Sequence, residues 1–166
     1  MTVTTKVDFK DYLKLAYILT YRKPTMIWIS FVGLVMLFFA ISYFLNVWKI
    51  GDPPYFQLAM GIVFVFLLPF SVYWQAKKNF TSTTRIGEEI KYEFLEDTMK
   101  TTGETFTSEL TWNKVFKVEE MKDCFLVYHN NLVFNIIPKK YFADDEIKNF
   151  RNTVRKFPNL KKKLKK

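Results

Sequence analysis

The sequence predicts a membrane α part joined to a soluble α+β part, in which a two-helix transmembrane hairpin precedes a small antiparallel β domain closed by a C-terminal helix. Two long uncharged apolar runs predict the hairpin, because about 20 such residues form a helix that crosses a roughly 30 Å hydrocarbon layer. Alternating apolar residues predict the strands, and a return to helical spacing near the end predicts the closing helix.

The two apolar runs lie between Lys23 and Lys49 and from Pro53 to Ala76, and neither contains a charged residue. They predict spans at about 26–48 and 55–75, within a helical hairpin over residues 25–76. The first run exceeds the roughly 7–15 apolar residues of a signal peptide, so we expect permanent insertion. The short connection between the runs makes the two helices antiparallel.

Three residues within the spans carry structural expectations of their own. Gly33 and Gly61 are small enough to let helices approach closely, either inside the hairpin or in a dimer. Pro69 removes a backbone hydrogen bond and is expected to kink the second helix. Neither span contains an ionisable residue, which favours an anchor over a transporter or channel.

Basic residues flank the outer ends of the spans, while the connecting loop carries only Lys49 against Asp52. This asymmetry predicts that both termini are cytoplasmic. The flanking bases are Lys10, Lys14, Arg22 and Lys23 before the first span, and Lys77, Lys78 and Arg85 after the second.

Residues 1–24 are predicted to form an N-terminal amphipathic cytoplasmic helix. The apolar positions with helical spacing are Phe9, Tyr12, Leu13, Ala16 and Leu19. Such a basic amphipathic helix could lie on the membrane surface or pack on the soluble domain, and the sequence leaves both placements open.

Residues 79–158 are predicted to form the cytosolic domain. Ile90, Tyr92 and Phe94 alternate with charged residues, as expected of a half-buried strand. Turn-forming pairs separate this and later runs of strand length, and they are Glu96-Asp97, Thr102-Gly103, Lys122-Asp123 and Asn130-Asn131. Several short antiparallel strands in series follow from this spacing.

The closing helix is predicted from Asp144 onward, where acids precede an apolar face and bases come last. Its apolar face contains Ile147, Phe150, Val154 and Phe157. Sequential strands followed by one amphipathic helix suit the plan of pleckstrin-homology-like domains. A plan of this kind predicts a fold and leaves the function open.

The charge balance indicates an anionic partner. The chain has 25 Lys and Arg against 16 Asp and Glu, a formal charge of +9, with seven bases in residues 155–166. Next to two spans this favours anionic lipid headgroups over nucleic acid. The residues 159–166 form a basic tail, for which a disordered solubilising role is the alternative. The headgroup candidates are Lys77, Lys78, Arg155, Lys156, Lys161, Lys162, Lys163, Lys165 and Lys166.

No catalytic, cofactor-binding or metal-binding residue is predicted. The single histidine, His129, is expected as an exposed turn residue, and the single cysteine, Cys124, as a small buried hydrophobe. The acid pairs Glu88-Glu89 and Glu119-Glu120 are expected at solvated strand edges, where neighbouring side chains diverge. The sequence therefore favours a protein that is not an enzyme.

The last half of the chain contains Trp112, Val115 and an Ile137-Pro138-Lys139 run. Together with the order of two spans, a strand region and a closing helix, these residues resemble the YcxB-like family of small bacterial membrane proteins. The resemblance implies a bacterial cytoplasmic (inner) membrane location and a YcxB-like, pleckstrin-homology-like domain. It carries over no catalytic residue.

These observations predict a non-enzymatic integral membrane protein whose cytosolic domain binds a partner protein or anionic lipid headgroups. The alternative is an accessory subunit or immunity-type protein that packs against another membrane protein through its hairpin. Homo-oligomerisation through Gly33 or Gly61 is also open.

Overall fold

The structure is a computed structural model that describes residues 1–48 and 51–165, without the side chain of Thr84. The predicted loop residue Lys49 and the headgroup candidate Lys166 lie outside the described residues. The chain forms two compact units. A helical unit comprises Phe9–Ser82, and a strand-rich unit combines Met1–Asp8 with Thr83–Lys166.

The helical unit contains two helices of the length and apolarity that a membrane crossing requires. They are α2 (Pro24–Phe44) and a continuous helix over Tyr55–Ser82, which consists of α3 (Tyr55–Ile62), a π-helical turn (Val63–Leu67) and α4 (Leu68–Ser82). The first helix ends earlier than the predicted position 48, and Asn46 adopts a positive φ of 57° shortly after it. The second extends past the predicted position 75, so residues 79–82 are helical instead of opening the soluble domain.

The π-helical turn lies directly before Pro69, the residue expected to kink the second helix. Proline lacks an N–H, and its ring clashes with the carbonyl group four residues earlier, which belongs to Val65. A π turn widens the helix at this point and accommodates the ring without ending the helix.

Gly33 and Gly61 allow close packing between α2 and the second apolar helix. A Cβ atom on Gly33 would lie 2.6 Å from Cβ of Phe64, and one on Gly61 would lie 2.7 Å from Cγ of Leu37. Both distances are too short for carbon atoms that do not bond. The two glycines therefore serve packing within the hairpin, one of the two roles expected for them.

The amphipathic helix α1 (Phe9–Tyr21) packs along α4. The Tyr17 hydroxyl donates to the carbonyl oxygen of Pro69 at 2.9 Å, and the ring of Phe9 lies edge-on to Phe80 with centroids 5.5 Å apart. Helix α1 thus belongs to the helical unit. Packing against the second apolar helix was not among the placements that the sequence suggested.

The strand-rich unit consists of two four-stranded sheets, in the orders β1-β2-β3-β4 and β7-β6-β5-β8. All neighbouring strands are antiparallel except β5 and β8, which are parallel. The bounds are β1 Thr2–Lys6, β2 Glu89–Phe94, β3 Thr98–Thr102, β4 Thr107–Thr111, β5 Lys117–Glu120, β6 Cys124–Tyr128, β7 Phe134–Pro138 and β8 Lys161–Lys163. A short helix, α5 (Thr84–Gly87), precedes β2, and helix α6 (Asp144–Arg155) follows β7.

Strand β1 corrects the prediction of one helix over residues 1–24. Val3 and Thr5 are buried between exposed neighbours, and β1 pairs with β2 in the register Val3 to Tyr92. The period-two pattern of β-branched residues favours a strand here, and helical spacing begins only at Phe9. The first eight residues therefore complete a sheet whose other strands come more than 80 residues later.

Both ends of the predicted cytosolic domain also differ from expectation. The domain includes β8, which lies in the predicted basic tail 159–166 and extends the second sheet along β5. The core between the sheets and α6 contains Trp112, Phe125 and Phe150, each fully buried. Antiparallel sheets followed by a closing helix were predicted and are observed.

Candidate functional site

The five positions that carried the family resemblance serve the fold. Trp112, Val115 and Ile137 lie in the hydrophobic core of the strand-rich unit. Pro138 is buried at the end of β7, opposite Cys124. Lys139 follows it and directs its ammonium group at Glu120. None of these side chains forms an exposed binding surface on its own.

Glu120 is the centre of a buried ionic network. Its side chain is fully buried and accepts hydrogen bonds from Lys139 Nζ at 2.6 Å, Arg151 Nη2 at 2.7 Å and Arg151 Nε at 3.0 Å. The backbone N–H of Lys165 donates to the same carboxylate at 2.9 Å. One carboxylate thus joins β5, the end of β7, α6 and the C-terminal segment.

The surroundings of Glu120 determine its charge state. Burial by itself would raise the pKa of this carboxyl, but the hydrogen bonds from Arg151, Lys139 and Lys165 outweigh burial and lower the pKa to about 2. Glu120 is therefore ionised throughout the physiological range. Its charge holds the C-terminal segment in place.

The expectation of solvated edges was wrong for three of the four paired acids. Glu88, Glu119 and Glu120 are 7%, 2% and 7% exposed. Glu88 accepts from the hydroxyl and backbone N–H of Thr105, and Glu119 accepts from Lys117 Nζ at 2.7 Å. The burial of Glu120 could have been anticipated from the sequence, because the period of two places Glu120 on the same face as Val118, a core residue.

Six of the predicted headgroup candidates lie in the strand-rich unit, at the end of α6 and in the C-terminal segment. We call this set the C-terminal basic surface: Arg155, Lys156, Lys161, Lys162, Lys163 and Lys165. All six are exposed. Arg155 Nη2 donates to the carbonyl oxygen of Lys165 at 3.4 Å, which joins the end of α6 to the segment after β8. The fold therefore orders residues 161–165 of a tail for which disorder was an alternative.

The members of the C-terminal basic surface do not have equal roles. Lys162 Nζ donates to the carbonyl oxygens of Arg155 and Phe157 at 3.1 and 2.9 Å, so it satisfies the carboxyl end of α6. Lys161 lies over the ring of Phe116, with Nζ 5.4 Å from the centroid. Lys161 and Lys163 alternate with Lys162 along β8, so these two project from the opposite face.

The other two described candidates, Lys77 and Lys78, lie on α4 in the helical unit. Both are exposed, and together with Trp74 and Thr81 they line one shallow depression. Trp74 is 63% exposed. An aromatic ring one helical turn before two lysines is typical of the boundary between lipid tails and headgroups.

Cys124 and His129 lie at opposite ends of β6. Cys124 is buried, as expected, whereas His129 is half-buried at the turn after the strand instead of fully exposed. Its backbone N–H donates to the carbonyl oxygen of Val133 within that turn. Within residues 1–48 and 51–165, no three His, Cys, Asp or Glu side chains converge as metal ligands would.

Comparison with known proteins gives a family match within the strand-rich unit. Neither a curated protein nor a solved structure matches the chain. The family described as YcxB-like protein matches residues 94–154, from the end of β2 to the end of α6. This segment contains all five resemblance positions and the whole Glu120 network except Lys165. Residues 94–154 thus carry the pattern of the YcxB-like protein family, which confirms the resemblance drawn from the sequence.

Proposed function

We propose that this chain is an integral protein of a bacterial inner membrane, with both termini cytoplasmic, whose strand-rich unit binds anionic lipid headgroups through the C-terminal basic surface. The two apolar helices cross the bilayer as a hairpin and keep the strand-rich unit at the cytoplasmic face. The observation that carries this proposal is a set of six exposed cations held in place by a buried ionic network.

The exposure of the two apolar helices supports the membrane part of the proposal. In the most apolar stretches, only 17% of the residues of α2 and 6% of those of the second helix are buried. Phe38 and Phe66 are 62% and 61% exposed. Soluble proteins rarely expose continuous apolar surfaces of this extent, whereas lipid tails cover them at no cost in free energy.

The charge arrangement supports the lipid part. Among the described residues, no carboxylate lies within ion-pair distance of the six cations. Glu119 and Glu120 instead pair with Lys117, Lys139 and Arg151. The charge of the six cations is therefore available to an external anion. Each cation contributes about 1 kcal/mol next to an anionic leaflet, within a screening length of about 8 Å.

The fold supports a binding role for the strand-rich unit. We infer a pleckstrin-homology-like plan, because two sheets, antiparallel except for the β5–β8 pair, enclose a core that the helix Asp144–Arg155 closes. We further infer that the unit is not catalytic, since Cys124 and His129 lie apart and the buried carboxylate of Glu120 is saturated by ion pairs.

The test uses the full chain in lipid nanodiscs, with an environment-sensitive fluorophore attached to Asn152→Cys. Asn152 is exposed on α6 near the basic surface, while the native Cys124 is buried. We expect the emission to shift in discs with anionic lipid and not in zwitterionic discs. High salt should reverse the shift, because it screens the attraction.

Matched variants separate the effect of the C-terminal basic surface on the emission shift from the effect of net charge. Lys161→Gln with Lys163→Gln should reduce the shift, since the two lysines contribute about 2 of the roughly 6 kcal/mol from the six cations. Lys114→Gln with Lys122→Gln removes the same charge from exposed positions elsewhere and should leave the shift unchanged. Equal emission in neutral and anionic discs, or equal loss in both variants, would refute lipid binding. A protein that copurifies reproducibly and is retained in the Lys161 and Lys163 variant would instead favour the accessory-subunit alternative.

A further inference from the structure

The strand-rich unit contains a cavity of about 450 Å³, a size typical of small-molecule sites. Its walls come from Val7 after β1, from α5, from strands β2, β3 and β4 of the first sheet, and from the β6–β7 hairpin. Most of the lining is apolar, including Ile86, Ile90 and Ile136. Its lining includes no member of the C-terminal basic surface or of the Glu120 network.

One wall carries the side chain of a buried tyrosine. Tyr92 is 1% exposed, and its side chain lines the cavity. Burial raises the pKa of Tyr92, so the hydroxyl stays protonated and can donate. A hydroxyl in the wall of a largely apolar cavity can donate a hydrogen bond to a ligand oxygen there.

A second wall carries a cation without an acidic partner. The Arg85 guanidinium carbon lies 5.0 Å from the centroid of the Phe106 ring, and both residues line the cavity. Among the described residues, no carboxylate is within ion-pair distance of Arg85. A guanidinium stacked on a ring keeps its edge available for a carboxylate, which it binds with two parallel hydrogen bonds.

We propose that this cavity binds a small amphiphilic anion, in which a carboxylate contacts Arg85 and a short hydrocarbon body occupies the apolar space lined by Ile86, Ile90 and Ile136. The hydroxyl of Tyr92 donates to the same ligand. This site lies wholly within the strand-rich unit, so it does not depend on the lipid-binding role of the C-terminal basic surface.

The test follows the isoleucine methyl groups by NMR in the full chain, held in zwitterionic nanodiscs and titrated with octanoate or with octanol. We expect saturable shifts at Ile86, Ile90 and Ile136, while Ile147 on α6 stays unchanged. The uncharged octanol lacks the carboxylate and should bind about tenfold more weakly, as expected for the loss of one charge-assisted contact.

Three variants decide the outcome. Arg85→Gln should weaken octanoate binding about tenfold and leave octanol unaffected, whereas Lys148→Gln, an exposed cation on α6, should change neither. Ser108→Phe places a large ring at an exposed position in the cavity wall and should abolish both, and an unchanged Ile137 methyl signal would show that the core is intact. Shifts that never saturate, or octanoate binding that is equal in wild type and Arg85→Gln, would overturn the proposal.

Discussion

The ammonium group of Lys139 lies 2.6 Å from the buried carboxylate of Glu120, which also accepts two hydrogen bonds from Arg151. Breaking a buried ion pair from one side leaves the remaining charges without compensation. We expect Glu120→Gln to lower the free energy of unfolding by about 3 kcal/mol, measured by chemical denaturation of the full chain in nanodiscs.

Glu93→Gln provides the control for that measurement. Glu93 also forms an ion pair at 2.6 Å, with Lys91, but this pair is on the surface. Surface pairs contribute about 0–1 kcal/mol, so this change should have little effect. Equal losses in the two variants would contradict the structural role assigned to Glu120.

The lowered pKa of Glu120 predicts a pH dependence of stability. The carboxyl titrates near pH 2 in the folded chain and near its ordinary pKa of 4.5 when unfolded. Its contribution is therefore complete above about pH 5 and is lost as the pH falls towards 2, for a total of about 3 kcal/mol. Denaturation at a series of pH values should show this decline in wild type and a shallower one in Glu120→Gln. Parallel curves for the wild type and for Glu120→Gln would contradict the assignment of this pH dependence to Glu120.

The turn between β3 and β4 depends on the absence of a side chain at position 103. A Cβ on Gly103 would lie 2.6 Å from Cε1 of Phe106 and 2.9 Å from Oε2 of Glu88. We expect Gly103→Ala to destabilise the strand-rich unit by about 1–3 kcal/mol, as overpacking does. Thermal unfolding tests this, and adding Phe106→Leu should restore part of the loss. No recovery in the double variant would show that the clash is not the cause.

The helical hairpin depends on a similar close approach at Gly61. Gly61→Ala should lower the thermal stability of the helical unit in nanodiscs, because the new methyl group meets the side chain of Leu37. Leu37→Ala removes the obstructing atoms, so the double variant should be more stable than the sum of the two single changes predicts. Additive effects would contradict direct contact between these positions.

The apolar helices, most strands and the closing helix were predictable because each has a strong local pattern. Uncharged runs identified the spans, and turn pairs such as Lys122-Asp123 separated strands that the structure confirms. Strand β1 was missed because a five-residue strand carries a weak signal and its partner is distant in sequence. Strand β8 was missed because a run of lysines lacks the apolar alternation by which strands are recognised.

The candidate site was predictable only in part. The charge of the C-terminal segment was visible in the sequence. The ordering of this segment was not visible, because the ordering depends on contacts from Glu120 to three distant parts of the chain. The cavity beside Tyr92 and Arg85 was likewise hidden, since it arises from the meeting of elements far apart in sequence.

Membrane insertion as a hairpin is the claim on which the proposed function rests, and thiol labelling of two single-site variants tests it most directly. The variants are Asp52→Cys and Lys163→Cys. Asp52 lies in the loop between the apolar helices, and Lys163 lies in β8. In bacterial cells, a membrane-impermeant maleimide should label residue 52 from outside, and residue 163 only in inverted vesicles. Labelling of both from the same side, or release of the protein by alkaline carbonate, would contradict the account.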